Sequence, residues 1–302
     1  MSDYLRLNST NLAINALARL DTISVPIAVH VEMFRWQLDL FWYAHRAVYG
    51  ATAPLKAHAI VVKRNDFWLP KAETLGWPLD IPHSMCEAFF DLEVHNTSTL
   101  MHVPLAVAVP LNIQIGLAQL LPRLSDDQII EVIDCDMFHF RPSPEHMVGP
   151  NELLVSDVYE NWHLFSRSRY REVIAPYVQN ENRYYNGGFV PIIGRVDTLR
   201  RILPDWTAAH IDILARNTDN DIRWWAGMYG LQVACEKSQV QMRAEEYCYV
   251  PGANELRPSH YIGHYCVDPH FTKKTFPRLS MDNCPDTPYH RLIKDWLRIN
   301  NI

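Results

Sequence analysis

The first clear run of apolar and β-branched residues is SVPIAVHVEMF, Ser24 to Phe34, and it predicts a strand. Behind it, WQLDLFWYAHRAVYG carries Trp36, Leu40, Tyr43 and Ala47 at helical spacing and stops at Gly50, which predicts a helix. A second β-branched run, Ala57 to Asp66, follows after a short loop, so the chain opens as strand, helix, strand. That order predicts an α/β fold with a parallel sheet covered by helices. Pro70, Trp77 and Pro78 mark Phe67 to Asp80 as loop. The longest apolar stretch, Val103 to Leu121, is broken by Pro104, Pro110, Asn112 and Gln114. It reads as a buried strand and a helix, Ile113 to Leu121, rather than a membrane span.

Further on, Ile129 to Ile133 is a short apolar strand that runs directly into Asp134, Cys135 and Asp136. In open α/β sheets the carboxyl ends of strands face the ligand crevice, so the pattern places this acidic pair at the rim. YYNGGFVPII puts Gly187 and Gly188 at a turn into another strand, and Asp221 to Cys235 predicts one helix rich in Trp, Met and Leu. No repeat, low-complexity tract or flexible linker interrupts residues 1–302, which predicts a single domain.

Composition narrows the class. With 48% apolar and 21% charged residues the chain buries a sizeable core and is not a disordered protein. A net charge of −6 opposes a surface built to neutralise nucleic-acid phosphates, so no nucleic-acid partner is expected. Cys86, Cys135, Cys235, Cys248, Cys266 and Cys284 show no CxxC pair or short regular spacing, which excludes an obvious zinc or disulfide framework. Met1 to Leu20 is polar and mixed, with no secretory pattern, so the expected location is cytoplasmic with no transmembrane segment.

Asp134 and Asp136 carry the leading chemistry. Two carboxylates one residue apart at a strand end can hold a hard divalent cation, Mn²⁺ or Mg²⁺, which in turn neutralises a diphosphate. The plain alternative is a solvated acidic turn. At Asn186-Gly187-Gly188, glycines let the backbone approach a ligand and the amide can bond sugar hydroxyls; an ordinary hairpin turn reads the same way. Asp219-Asn220-Asp221 is either a pair of carboxylates facing a transferred sugar or a helix N-cap with an acidic first turn. In SHYIGHYC, His260 or His264 can complete a metal shell, and Lys273 or Lys274 can meet a phosphate oxygen. His139 and His146, near the acidic pair, show no ligand spacing.

In order, VIDCDMFHFRP, YYNGGFVPIIG, DNDIRWWAGMYGL and SHYIGHYCVDPHFTKKTF resemble the motifs of GT-A glycosyltransferases. The hydroxyproline O-arabinosyltransferase and peptidyl-serine α-galactosyltransferase group is the most similar. There, a stretch like NKPLGLQ and a helix precede the acidic motif, as in HVPLAVAVPLNIQIGLAQLLPRLSDDQIIEVIDCDMF, and a His-Tyr dipeptide near the C-terminus matches His264-Tyr265. The glycogenin-type family is similar as well: Asn186-Gly187-Gly188, Asp219-Asn220-Asp221 and His260-Tyr261-Ile262-Gly263 match its turn, acidic and terminal histidine motifs, while its Lys-Pro-Trp is missing. The resemblance spans residues 24 to 276, and the order of the motifs carries it.

The resemblance implies a GT-A, Rossmann-like fold with a mixed, mostly parallel central sheet flanked by helices. It also implies a nucleotide-sugar half over residues 20–140 and an acceptor half over 141–302, with a glycan or protein hydroxyl as acceptor. The reaction implied is retaining transfer from a nucleotide diphosphate sugar, UDP-linked in expectation. Asp134, Asp136 and either His264 or His260 would hold the metal, with His264 preferred. His30, Glu32, Cys135, Gly187, Gly188, Lys273 and Lys274 would border the donor, and Asp219, Asp221 and Asn186 would act on the sugar. Pro70 to Cys86 and Val155 to Gln179 are the expected acceptor surface. The alternatives are an inactive GT-A domain that binds a sugar or protein, and a sugar-phosphate nucleotidyltransferase; the latter is disfavoured by the lack of a glycine- and lysine-rich phosphate loop. A haloacid-dehalogenase-like phosphatase is disfavoured by Met137-Phe138 after the second aspartate.

Overall fold

Seven strands form the central sheet of the computed structural model, which describes residues 20–27, 31–49, 56–63, 90–96, 111–134, 136–143, 148–156, 172–178, 189–252, 254–266, 268–271 and 283–300. The strands are β1 (Leu20–Ile27), β2 (Lys56–Lys63), β3 (Phe90–Asn96), β4 (Ile129–Val132), β6 (Glu152–Ser156), β7 (Phe189–Arg195) and β8 (Gln241–Glu245), in the order β3-β2-β1-β4-β7-β6-β8. From β3 to β4 every pairing is parallel. β7 is antiparallel to both neighbours, and β8 runs parallel to β6. The sheet is therefore mixed and mostly parallel. Its strand order reverses at β1, which has β2 on one side and β4 on the other.

A second sheet starts where β4 ends. It consists of β5 (Met137–His139), β9 (Cys248–Tyr249) and β10 (Ile262–His264), with β10 central, antiparallel to β5 and parallel to β9.

Helices cover the sheets because the strands are apolar on both faces. Leu153, Leu154 and Val155 are consecutive and fully buried, as are Ile130 and Val132, the pattern of a sheet covered on both sides. The helices are α1 (Val31–Tyr49), α2 (Asn112–Leu120), α3 (Val196–Arg216), α4 (Asn220–Trp224), α5 (Ala226–Lys237) and α6 (Pro288–Ile299). α1 turns Gln37, Leu40, Phe41, Ala44 and His45 inward at helical spacing and packs on β5, and α6 packs on α1. α5 lies along α3 at close range: a Cβ on Gly230 would stand 2.9 Å from the His210 backbone nitrogen.

Several boundaries depart from the sequence pattern, among them the start of β1 at Leu20 rather than Ser24. The first strand ends at Ile27 and helix α1 begins at Val31, so the residues from Val31 to Phe34 belong to the helix and Glu32 sits in its first turn. β-branched Val29 and Val31 carry the apparent strand too far, while Val31, Phe34, Leu38 and Phe41 already keep helical spacing. The second strand stops at Lys63 rather than Asp66. The helix expected over Asp221 to Cys235 breaks at Trp225 into α4 and α5. The break lets α5 swing onto α3, where the Trp206 indole donates to the Gly227 carbonyl at 2.6 Å. Pro70 to Cys86 lies outside the described residues, as does most of Val155 to Gln179. Among the described residues no helix is long and apolar enough to cross a membrane.

Two histidines are enclosed by this packing. Burial lowers the pKa of His210, and burial and the nearby His139 lower that of His45, from 6.5 to about 3 in each case. The folded chain thus declines protons that the unfolded chain accepts. Their contribution to stability is complete above pH 6.5 and is lost as pH falls towards 3, by at most about 1.4 kcal/mol per group and pH unit. Urea midpoints are expected to drop between pH 7 and about pH 4.5. His210→Gln, which still offers Gln114 an acceptor, is expected to flatten that slope; an unchanged slope would remove His210 from the account.

Candidate metal centre

β4 carries the chain out of the apolar core at Ile133, and β5 takes it back in at Met137. Between them the chain turns once, with the Met137 amide donating to the Asp134 carbonyl at 3.1 Å. Asp134 is half-buried and Asp136 is buried. On the far side, β10 ends at His264 and the following amide, that of Tyr265, donates to the Asp136 carbonyl at 3.1 Å. This bond ties the end of β10 to the acidic turn and sets His264 Nε2 3.2 Å from Asp136 Oδ1.

Asp134, Asp136 and His264 offer one ligand atom each, all within 4.8 Å of one another. Two carboxylate oxygens and one imidazole nitrogen suit a hard or borderline divalent cation such as Mn²⁺ or Mg²⁺. Burial disfavours the His264 cation, while Cys266 and the Asp136 carboxylate beside it favour it, and the pKa is raised well above 6.5. Ligation would require the neutral imidazole.

Gly263 fixes the inner side of β10. A Cβ there would stand 2.3 Å from the Tyr289 ring of α6, which stacks on Phe138 of β5 at 4.8 Å between centroids. The small sheet and the C-terminal helix are packed through this one missing side chain.

Other residues singled out in the sequence fall elsewhere. His260 accepts from the Arg257 amide through Nδ1 at 3.0 Å and stacks on Tyr249, and burial lowers its pKa to about 4. It does not belong to the group formed by Asp134, Asp136 and His264. Asp219 caps α4, accepting from the Asp221 and Ile222 amides at 2.8 and 3.3 Å, and Asp221 is exposed in the first turn. Neither aspartate joins the metal group. Glu32 lies on α1 rather than at a strand end. His30, Cys135, Asn186, Gly187, Gly188, Lys273 and Lys274 lie outside the described residues.

One set of residues went unrecognised in the sequence. Glu131 and His139 are fully buried, with His139 Nε2 donating to Glu131 Oε2 at 2.9 Å and the Tyr261 hydroxyl donating to Oε1 at 2.5 Å. The signal was available: Glu131 is the one charge within Ile129 to Ile133, and an acid inside an apolar strand requires partners.

No protein-family model matches the chain, and no curated protein matches it either. The chemistry of the site therefore rests on its own geometry.

Gly263→Ala is expected to force Tyr289 aside and to lower stability by about 1–3 kcal/mol in urea unfolding. An unchanged midpoint would show that α6 does not brace β10.

Proposed function

We propose that this chain is a metal-dependent glycosyltransferase of the GT-A type that takes a nucleoside diphosphate sugar, UDP-linked in the simplest case, and passes the sugar to a hydroxyl of a glycan or protein. The observation that carries this reading is the convergence of Asp134, Asp136 and His264, drawn from two distant segments, at the carboxyl end of β4. That end borders the reversal of strand order between β1 and β4, where open α/β sheets place their ligands. A mostly parallel central sheet flanked by helices also agrees with the fold that the sequence resemblance implies.

Asp134 and Asp136 would supply oxygen ligands and the neutral imidazole of His264 a nitrogen ligand, and a divalent cation held there would neutralise charge on the diphosphate leaving group. In a retaining transfer the bond between the anomeric carbon and the phosphate oxygen breaks, the acceptor oxygen bonds to the same face of that carbon, and the acceptor proton leaves on the diphosphate. The buried flank of the site, Asp136 and His264, keeps bulk water from competing with these contacts.

The test is a panel of nucleotide sugars incubated with Mn²⁺ or with chelator, reading release of free nucleoside diphosphate. Metal-dependent release from one donor is expected, lost in Asp136→Asn along with Mn²⁺-dependent nucleotide binding by calorimetry. No release from any donor, together with no metal-dependent nucleotide binding by the native chain, would overturn the reading.

A further inference from the structure

The buried polar set beneath the metal centre is spaced in a regular way. Glu131 lies three residues before Asp134, His139 three residues after Asp136, and Tyr261 three residues before His264. Each chain segment that delivers a metal ligand therefore also delivers one member of the buried set. Three residues of extended chain span roughly 10 Å, so the two layers are stacked along the same strands.

The set is surrounded mainly by apolar and aromatic side chains, with His45 of α1 edge-on to His139 at 5.8 Å between centroids. Ile130, Val132, Ile133, Met137, Phe138 and Ile262 are buried on the same strands and their ends. His139 stacks on Tyr261 with centroids 5.7 Å apart, and Tyr49 of α1 closes it edge-on at 5.6 Å. An apolar interface between two sheets tolerates small slides, because hydrophobic contact is non-directional. Two hydrogen bonds to one buried carboxylate do not, because each loses its partner when the strands shift. Both Glu131 oxygens are engaged, one by β5 and the other by the chain entering β10.

We infer that Glu131, His139 and Tyr261 form a register clamp that positions Asp134, Asp136 and His264 for metal. They are positioning residues, and the clamp acts through strand register rather than by touching the ion. This rests on the reading of Asp134, Asp136 and His264 as the metal site.

The test measures Mn²⁺ affinity of the full chain by calorimetry, with near-ultraviolet circular dichroism and urea unfolding on every variant. Tyr261→Phe and His139→Ala are each expected to weaken Mn²⁺ binding by about tenfold or more while the aromatic signal stays native. The double variant is expected to lose little beyond either single one, since both act on the same carboxylate. His139→Gln, whose amide can still donate to Glu131, is expected to recover most of the affinity. Thr198→Val is the control: Thr198 is buried and its hydroxyl donates to the Pro150 carbonyl at 2.6 Å, at the end of β4 opposite the site. It is expected to lower stability without moving Mn²⁺ affinity. If Tyr261→Phe and His139→Ala bind Mn²⁺ as tightly as the native chain while Asp136→Asn does not, the clamp is overturned and the metal site stands. If affinity follows stability alone, so that Thr198→Val weakens binding as much, the clamp is also overturned. If the native chain binds no Mn²⁺, both fall together.

Discussion

The chain has four residues, 133 to 136, in which to leave one sheet and enter another. So short a junction cannot absorb a shift between the two sheets, and the rest of the site follows from that limit. The acidic pair occupies the junction itself. β10 must lie beside β5 with Gly263 opposite Phe138 and His264 opposite Met137, and the Tyr265 amide must reach the Asp136 carbonyl. A loop of ten residues in the same place would leave the carboxylates free to wander and the histidine without a fixed partner.

The small sheet has too few strands to hold itself, and it borrows its rigidity from helices on both sides of the sequence. Three short strands bury little area alone. α1 covers β5 from one side, and α6, more than a hundred residues later, inserts Tyr289 against Gly263, Phe138, Phe140 and Tyr249. Thr287 caps that helix by accepting from the His290 amide, and His290 faces the buried Asp268 at 3.4 Å. Helix α6 is thus part of the scaffold behind β10 and His264.

What the sequence revealed depended on whether a residue's neighbours in space were also its neighbours in the chain. Strand β4 and the acidic turn were legible because apolar periodicity and the two aspartates are contiguous. The boundary at Ile27 was misread because β-branched residues at a helix start mimic a strand until the deeper helical spacing is weighed. The break at Trp225 could not be read locally, since it arises from the approach of α5 to α3, with Trp206 and His210 supplying the contact. Asp219 shows the limit from the other direction: capping and sugar contact ask for the same residue type before a helix, and the structure displays the cap. Between His260 and His264, spacing alone left both open, and strand register separates them, because only His264 falls at the end of β10 opposite the turn.

The buried charges explain why the separation has to be so strict. A carboxylate moved out of water costs several kcal/mol unless its lone pairs are met, and a buried ion pair seldom returns more than it loses. Replacing Glu131, His139 and Tyr261 by aliphatic residues would therefore be no loss to stability in principle, yet this chain keeps three polar groups buried beneath Asp134, Asp136 and His264. Asp136 and His264 repeat the pattern one layer up, with His264 Nε2 3.2 Å from Asp136 Oδ1. The lower layer has every carboxylate oxygen bonded within the protein, so it is suited to holding position. The two layers differ in place: the lower one lies in β4, in β5 and at the entry to β10, and the upper one lies in the turn between β4 and β5 and at the end of β10.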